Sequence, residues 1–342
     1  MRQPAEWERH DAVWLAWPTH EELWRDELRT VQDSFVAFCE GIVAQGSSSS
    51  VPAERLEILC PQRRLAEAEK RLGHLKPRFH EILFGDIWLR DTAPIFTHNA
   101  RGQVEAQVFH FNGWGGKYEL DGDGVLAGAV AQASALPTSR HGFVLEGGAV
   151  ESDGAGTLLT TEECLLNANR NPWMKRGDIE ASLRKALGAA KVLWLRRGLK
   201  NDHTDGHVDT IARFVAPGRV LAMEPNGRHD PNAEVLHEIL EDLSRMRDAS
   251  GEGLEVVSIP SPGTVLGAES ALLPASYVNF YISNRGVVVP TYGVPADALA
   301  VEAIAQLFPG RKTVGVRAKE LLSGGGAFHC ISQQQPAARS GA

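Results

Sequence analysis

The chain has 342 residues, of which 43% are hydrophobic and 23% charged, enough apolar material for a sizeable core. Its formal net charge of −8 at pH 7 argues against general nucleic-acid binding, which needs a basic surface, and mildly favours a cationic small molecule. Cys39, Cys60, Cys164 and Cys330 are scattered with no CxxC pair, so free thiols of a cytoplasmic protein are expected rather than disulfides or a zinc site.

The first segment, MRQPAEWERHDAVWLAWP, carries charges where a signal peptide needs an apolar run. No stretch reaches the roughly 18 uninterrupted apolar residues of a membrane span. Within it AVWLAW, 12–17, predicts a buried strand, and 21–44 predicts one long amphipathic helix ending in a flexible Gly-Ser loop at 46–52. RLEILC (55–60) reads as strand, QRRLAEAEKRL as helix and FHEILF (79–84) as strand. Two strands, APIFTH and QVEAQVFHF, precede a helix near 123–135. Strands near 147–151 and 156–160 precede a helix near 177–188 and the strand KVLWL. VDTIARFV and RVLAM precede a helix near 232–246 and LEVVSI; YVNFYI and GVVVP precede a helix near 297–308 and KTVGV. The pattern is roughly five units of strand, strand, helix, strand, the first irregular, without a sequence repeat. A single α/β domain over 1–342 with internal pseudosymmetry is expected, the residues after about 336 forming a tail; the runner-up is two α/β lobes. Monomer and homodimer are both compatible with this composition.

Several stretches concentrate reactive side chains. DIWLRDTAPIF (86–96) sets Asp86, Arg90 and Asp91 around Trp88, either a surface ion pair at a strand end or an acidic clamp beside an aromatic face, suited to a planar cation. LEGGAVES places Glu146 before two glycines, by itself a solvated bend. In NDHTDGHVD (201–209) a strand would turn Asp205, His207 and Asp209 to one face, with a metal site as the rival reading. His203 and His207 have helical zinc spacing, but there is no HExxH, and Gly206 with the aspartates disfavours a helix. DGDG (121–124) lacks the rest of a calcium loop and reads as a turn. Cys39, Cys60 and Cys164 sit in apolar or helical patterns, whereas Cys330 follows three glycines in GGGAFHCISQQQ and is the nucleophile candidate.

Taken in order, PAEWERHDAVWLAWP, DIWLRDTAPIF, FNGWGGKY, LEGGAVESDG, NDHTDGHVDTIARF and GGGAFHCISQQ resemble the signature blocks of the agmatine deiminase and bacterial peptidyl-arginine deiminase-like family, from Pro4 to Gln335. The resemblance implies the pentein fold, an α/β propeller of five ββαβ modules around a pseudo-fivefold axis. It implies Cys330 as nucleophile, His207 as acid and base, Glu146 as support for the histidine, and Asp91 and Asp209 as the carboxylates that grip a guanidinium. Trp88 then lines the substrate cavity with His203 and Gly325, the glycine run bending the chain so that Cys330 meets a flat substrate. No metal and no cofactor are implied. A guanidinium held by two carboxylates is attacked by the thiolate, losing ammonia through a covalent thiouronium that water hydrolyses to a ureido product.

Three departures from the agmatine pattern stand out: His203 where an acid is usual, Ala93 where glycine is usual, and a shorter region after FNGWGGKY. They leave the guanidine chemistry intact and open the distal end of the substrate to free arginine, a peptidyl arginine or another alkylguanidine. A dihydrolase, a non-catalytic pentein and a metal hydrolase are the rival classes.

Overall fold

A computed structural model describes residues 1–44 and 51–339. Its strands are β1 (His10–Ala16), β2 (Arg55–Leu59), β3 (Arg78–His80), β4 (Ile95–His98), β5 (Val104–His110), β6 (Thr138–Val144), β7 (Glu151–Ser152) and β8 (Thr157–Thr161). They continue as β9 (Lys191–Leu195), β10 (Ala212–Ala216), β11 (Arg219–Glu224), β12 (Glu255–Pro260), β13 (Tyr281–Ile282), β14 (Gly286–Thr291), β15 (Lys312–Arg317) and β16 (Gln333–Pro336).

Among the described residues these strands form five sheets, and four of them repeat one construction. An antiparallel pair is followed by a crossover helix and a third strand parallel to the second: β4–β5–β6, β7–β8–β9, β10–β11–β12 and β13–β14–β15. The crossover helices are Asp123–Ser134, Arg176–Leu187, Ala233–Arg245 and Asp297–Leu307. A parallel pair cannot be closed by a short turn, so the helix supplies both the return path and an apolar face. The remaining sheet, β16–β1–β2–β3, explains the irregular first unit. Its antiparallel pair joins β1 to the last strand, Trp14 opposite Gln333, and the helix Leu28–Val43 leads to the parallel β2. The first module is thus built from both ends of the chain. This is the ββαβ pattern of a pentein.

Several elements differ from expectation. The helix predicted over 21–44 is interrupted: Glu21–Trp24 ends at Arg25, whose φ is +47°, and a 3-10 turn leads into Leu28–Val43. The buried Trp24 indole donates to Asp86 Oδ1 at 3.1 Å, a tertiary bond that no helical periodicity encodes. FHEILF and YVNFYI shrink to β3 and β13, and the 147–151 strand begins as a 3-10 turn, Gly147–Ala149. Neither β6 nor β16, whose residues are largely buried glutamines, carries a strand pattern that the sequence reading picks out. Residues 337–339 are docked rather than a loose tail: Ala337 N–H donates to Arg9 C=O and Arg339 N–H to Gly102 C=O. Most of the predicted Gly-Ser loop and the last three residues lie outside the described residues. One continuous buried apolar cluster draws on all five sheets. No described helix is long and apolar enough to cross a membrane.

Candidate active site

A cavity of about 260 Å³ is lined by Trp24, Trp88, Trp114, Asp86, Asp91 and Cys330, and by Leu23, Glu27, Tyr118, His203 and Gly325 among others. Several of these are placed by local devices. Trp88 precedes one helical turn, Leu89–Thr92, which carries Asp91 inward. Trp114 has φ +54°, a left-handed backbone that is costly for a bulky residue, and its indole N–H donates to Asp91 Oδ2 at 2.8 Å. The second oxygen, Asp91 Oδ1, accepts the Gly148 backbone N–H at 2.9 Å. Asp86 accepts the indole N–H of Trp24 and, at 2.9 Å, that of Trp88, so two aromatic faces are fixed by one carboxylate.

The glycine run before the cysteine is a packing requirement. A Cβ on Gly324 would stand 2.5 Å from the Trp24 ring, and one on Gly326 would stand 2.8 Å from Trp88 and 3.0 Å from Cys330 Sγ. Gly325 has φ +114°, outside the range side chains tolerate. The chain can then deliver Cys330, whose Sγ accepts Asn279 Nδ2–H at 3.1 Å and lies 3.6 Å from Asp209 Oδ2. Burial first, then the charges of Asp209 and Asp91, push this thiol well above the ordinary cysteine range.

Behind the cavity wall stand three fully buried residues, Glu146, His207 and Asp209. His207 Nδ1 is 3.7 Å from Asp91 Oδ2. Burial disfavours the imidazolium, but Asp91, Cys164 and Glu146 outweigh it and raise His207 well above its usual range. Asp209 is also penalised by burial, yet its bond to His329 holds it below the usual carboxylate range. Glu146 Oε1 accepts Arg170 Nε–H at 2.6 Å, which neutralises a charge that would otherwise be stranded. A Cβ on Gly148 would lie 2.6 Å from His207 Nδ1, 2.9 Å from Asp91 Oδ1 and 3.1 Å from Asp209 Oδ2; all three groups converge on that one glycine.

The arrangement corrects parts of the sequence reading. Asp205, His207 and Asp209 do not share a strand face. Asp205 (φ +63°) and Gly206 (φ +79°) are left-handed, Val208–Thr210 is a 3-10 turn, and the strand starts at Ala212. Asp205 turns away to pair with Lys117 and Arg170, while His207 and Asp209 still meet behind the cavity. Arg90 makes no surface ion pair: it is buried and donates to Gln333, Gln334, Glu6 and the His329 carbonyl. Glu146 is no solvated bend. Among the described residues, the grouping with metal-like spacing is Glu146, Cys164 and His207, within 4.8 Å of one another, not His203 with His207. The Arg170 guanidinium beside that trio opposes a cation there. His203 is exposed at the mouth, its Nδ1 3.5 Å from the Tyr118 hydroxyl. Sequence reasoning gave no role to Trp114, Gly148, Asn279, Arg170 and His329; Trp114 lies within FNGWGGKY, Gly148 is the second glycine after Glu146 and His329 precedes Cys330, while Asn279 and Arg170 carried no local signal.

The model of the Porphyromonas-type peptidyl-arginine deiminase family matches residues 2–336. An agmatine deiminase of Ectopseudomonas mendocina is 38% identical, with 98% of this chain and 96% of that protein covered. The solved agmatine deiminase of Enterococcus faecalis superposes with a TM-score of 0.90 at 34% identity, covering 98% of this chain and 95% of that one. A C. jejuni agmatine deiminase, solved as a cysteine-to-serine variant with substrate bound, gives 0.88 at 25% identity, over 98% and 96% of the two chains. With nearly its whole length matched and its cavity built around a cysteine and paired carboxylates, this chain belongs to the Porphyromonas-type peptidyl-arginine deiminase family.

Proposed function

We propose that the chain hydrolyses the guanidinium of agmatine, giving N-carbamoylputrescine and ammonia. The observation that carries the reading is the position of Cys330 Sγ, in a tryptophan-walled cavity, 3.6 Å from Asp209 and sharing that cavity with Asp91. A guanidinium is planar and cationic, so aromatic walls and carboxylates hold it while keeping its carbon at the sulfur. Asp91 and Asp209 grip its N–H groups. The substrate's positive charge offsets the two carboxylates that suppress ionisation of the thiol, so binding itself favours the thiolate.

The thiolate attacks the guanidinium carbon, and His207 gives a proton to the nitrogen that leaves as ammonia. The S-alkylthiouronium left on Cys330 is attacked by water, whose proton returns to His207, and collapse expels the thiolate with the ureido product. Glu146, fixed by Arg170, supports His207 electrostatically. Glu27 at the mouth has no side-chain partner among the described residues and is the acceptor for the distal ammonium, in a rim that also holds His203. The four free buried cysteines support a reducing, cytoplasmic setting, and the shared apolar core supports a single catalytic domain.

The test is release of ammonia and ureido product from agmatine, free arginine and a C-terminal-arginine peptide, with Cys330→Ala alongside. One ammonia per agmatine, abolished in the variant, is expected. Two ammonias per substrate identify a dihydrolase. Turnover of arginine or peptide but not agmatine moves the substrate, an outcome that the non-acidic His203 at the rim would explain.

A further inference from the structure

We propose that His329 is a positioning residue for this reaction: a buried imidazolium that bridges Glu6 and Asp209 and thereby fixes Asp209 beside Cys330. The inference rests on the reading of Asp209 as a guanidinium carboxylate.

His329 immediately precedes the nucleophile and is 2% exposed. Its Nδ1 lies 2.6 Å from Asp209 Oδ2 and its Nε2 lies 2.9 Å from Glu6 Oε2, so each ring nitrogen faces a carboxylate oxygen. Glu6 is surrounded by donors. Glu6 Oε1 accepts the Ile282 N–H at 2.7 Å, and Glu6 Oε2 lies 3.0 Å from Arg213 Nη2 and 3.3 Å from Arg90 Nη2. Asp209 Oδ2 has the Cys330 thiol at 3.6 Å. An ionised carboxylate only accepts, so both ring nitrogens must donate and the ring must carry both protons. A neutral ring would set a nitrogen lone pair against one of these oxygens at hydrogen-bond distance, inside a buried site where that repulsion is costly.

The charged groups around the ring are consistent with that state. Glu6 comes from the N-terminal segment, Asp209 from the turn before β10, Glu151 from β7, and the opposing Arg90 and Arg213 from the turn after Trp88 and from β10. Arg213 is itself divided between Glu151, at 2.9 Å, and Glu6. That leaves His329 as the cation in direct contact with Asp209. The backbone holds the ring in place: His329 N–H donates to Asn279 C=O at 3.1 Å, and its carbonyl accepts from Arg90 Nε. The consequence is geometric. With Oδ2 committed to His329, Asp209 keeps a single defined oxygen, the buried and otherwise unpartnered Oδ1, free for a guanidinium N–H. Without His329 the carboxylate can rotate, and its charge near the thiol is no longer offset.

Steady-state kinetics with agmatine and thermal melts on wild type, His329→Gln, Asp209→Asn and the double variant test this. His329→Gln should fold and lose on the order of 10- to 100-fold in kcat/KM, the range of a charge-assisted hydrogen bond. The double variant should be no slower than Asp209→Asn alone, because the histidine acts only through that carboxylate. Independent losses that multiply in the double variant, or His329→Gln within about twofold of wild type, overturn the inference. An active Asp209→Asn removes the guanidinium assignment as well, whereas an inactive Asp209→Asn beside an active His329→Gln removes only the role given to His329. If His329→Gln does not fold, the ring ¹⁵N shifts of wild-type protein decide: a proton on both His329 nitrogens, as the two carboxylate contacts require, is expected, and a ring with one bare nitrogen refutes it.

Discussion

Replacing Gly148 with alanine adds one methyl at the point where the buried half of the site converges. That Cβ would sit 2.6 Å from His207 Nδ1, about 0.8 Å inside ordinary contact at 3.4 Å, and would also crowd Asp91 Oδ1 and Asp209 Oδ2. The glycine cannot retreat easily. Its N–H is bonded to Asp91 Oδ1, and the neighbouring Gly147 already abuts the Arg90 carbonyl. Gly148 has no positive φ, so alanine introduces no backbone strain and the perturbation is purely steric. A displacement approaching 1 Å in groups that must align on one substrate carbon costs roughly 100-fold in rate, while overpacking one methyl costs about 1–3 kcal/mol of stability. Ammonia release from agmatine gives kcat and KM, and a urea melt gives the stability change. A folded Gly148→Ala protein within about twofold of wild-type kcat would refute the convergence of His207, Asp91 and Asp209 as the working geometry.

Three further outcomes follow from the charges. Since burial and two carboxylates raise the Cys330 thiol, iodoacetamide should label it slowly near neutral pH, with the rate climbing only above the usual cysteine range of about 8.5; thiolate absorbance in the free enzyme at about pH 6 would contradict the balance. Because the acid form of His207 is raised well above its usual value, turnover should persist beyond about pH 7 and fall as pH rises through that higher pKa; loss near the ordinary histidine value of about 6.5 would argue against His207 as the proton donor. Glu27→Gln should raise KM for agmatine by roughly 1.5- to 5-fold with kcat little changed, the size expected of an exposed charge contact. The same change should leave the KM of a guanidine lacking the distal amine unaltered; an equal rise for both substrates would remove Glu27 from recognition of the amine.

The repeating order of strands and helices was legible in the residues alone, because short β-branched runs and amphipathic segments carry their own periodicity. So were the reactive residue types in order along the chain, from DIWLRD to HCISQQ. Which of them meet was set only by tertiary assembly. β16 reads as a polar glutamine run; it is a strand because it pairs with β1 at the other end of the chain, where Gln335 accepts the Trp14 indole N–H and Gln333 binds Arg90 and the Pro94 carbonyl. The two left-handed residues Asp205 and Gly206 turn a predicted strand into a bend, which parts Asp205 from His207 and Asp209. Glu146 and Arg90 look solvated in sequence, since nothing local foretells a buried counter-charge; Arg170 and Glu6 supply it from segments folded over them. Periodicity reports how a segment folds against whatever covers it, whereas an active site is defined by distances between segments. Those distances are fixed only when the sheets and the apolar core between them have assembled.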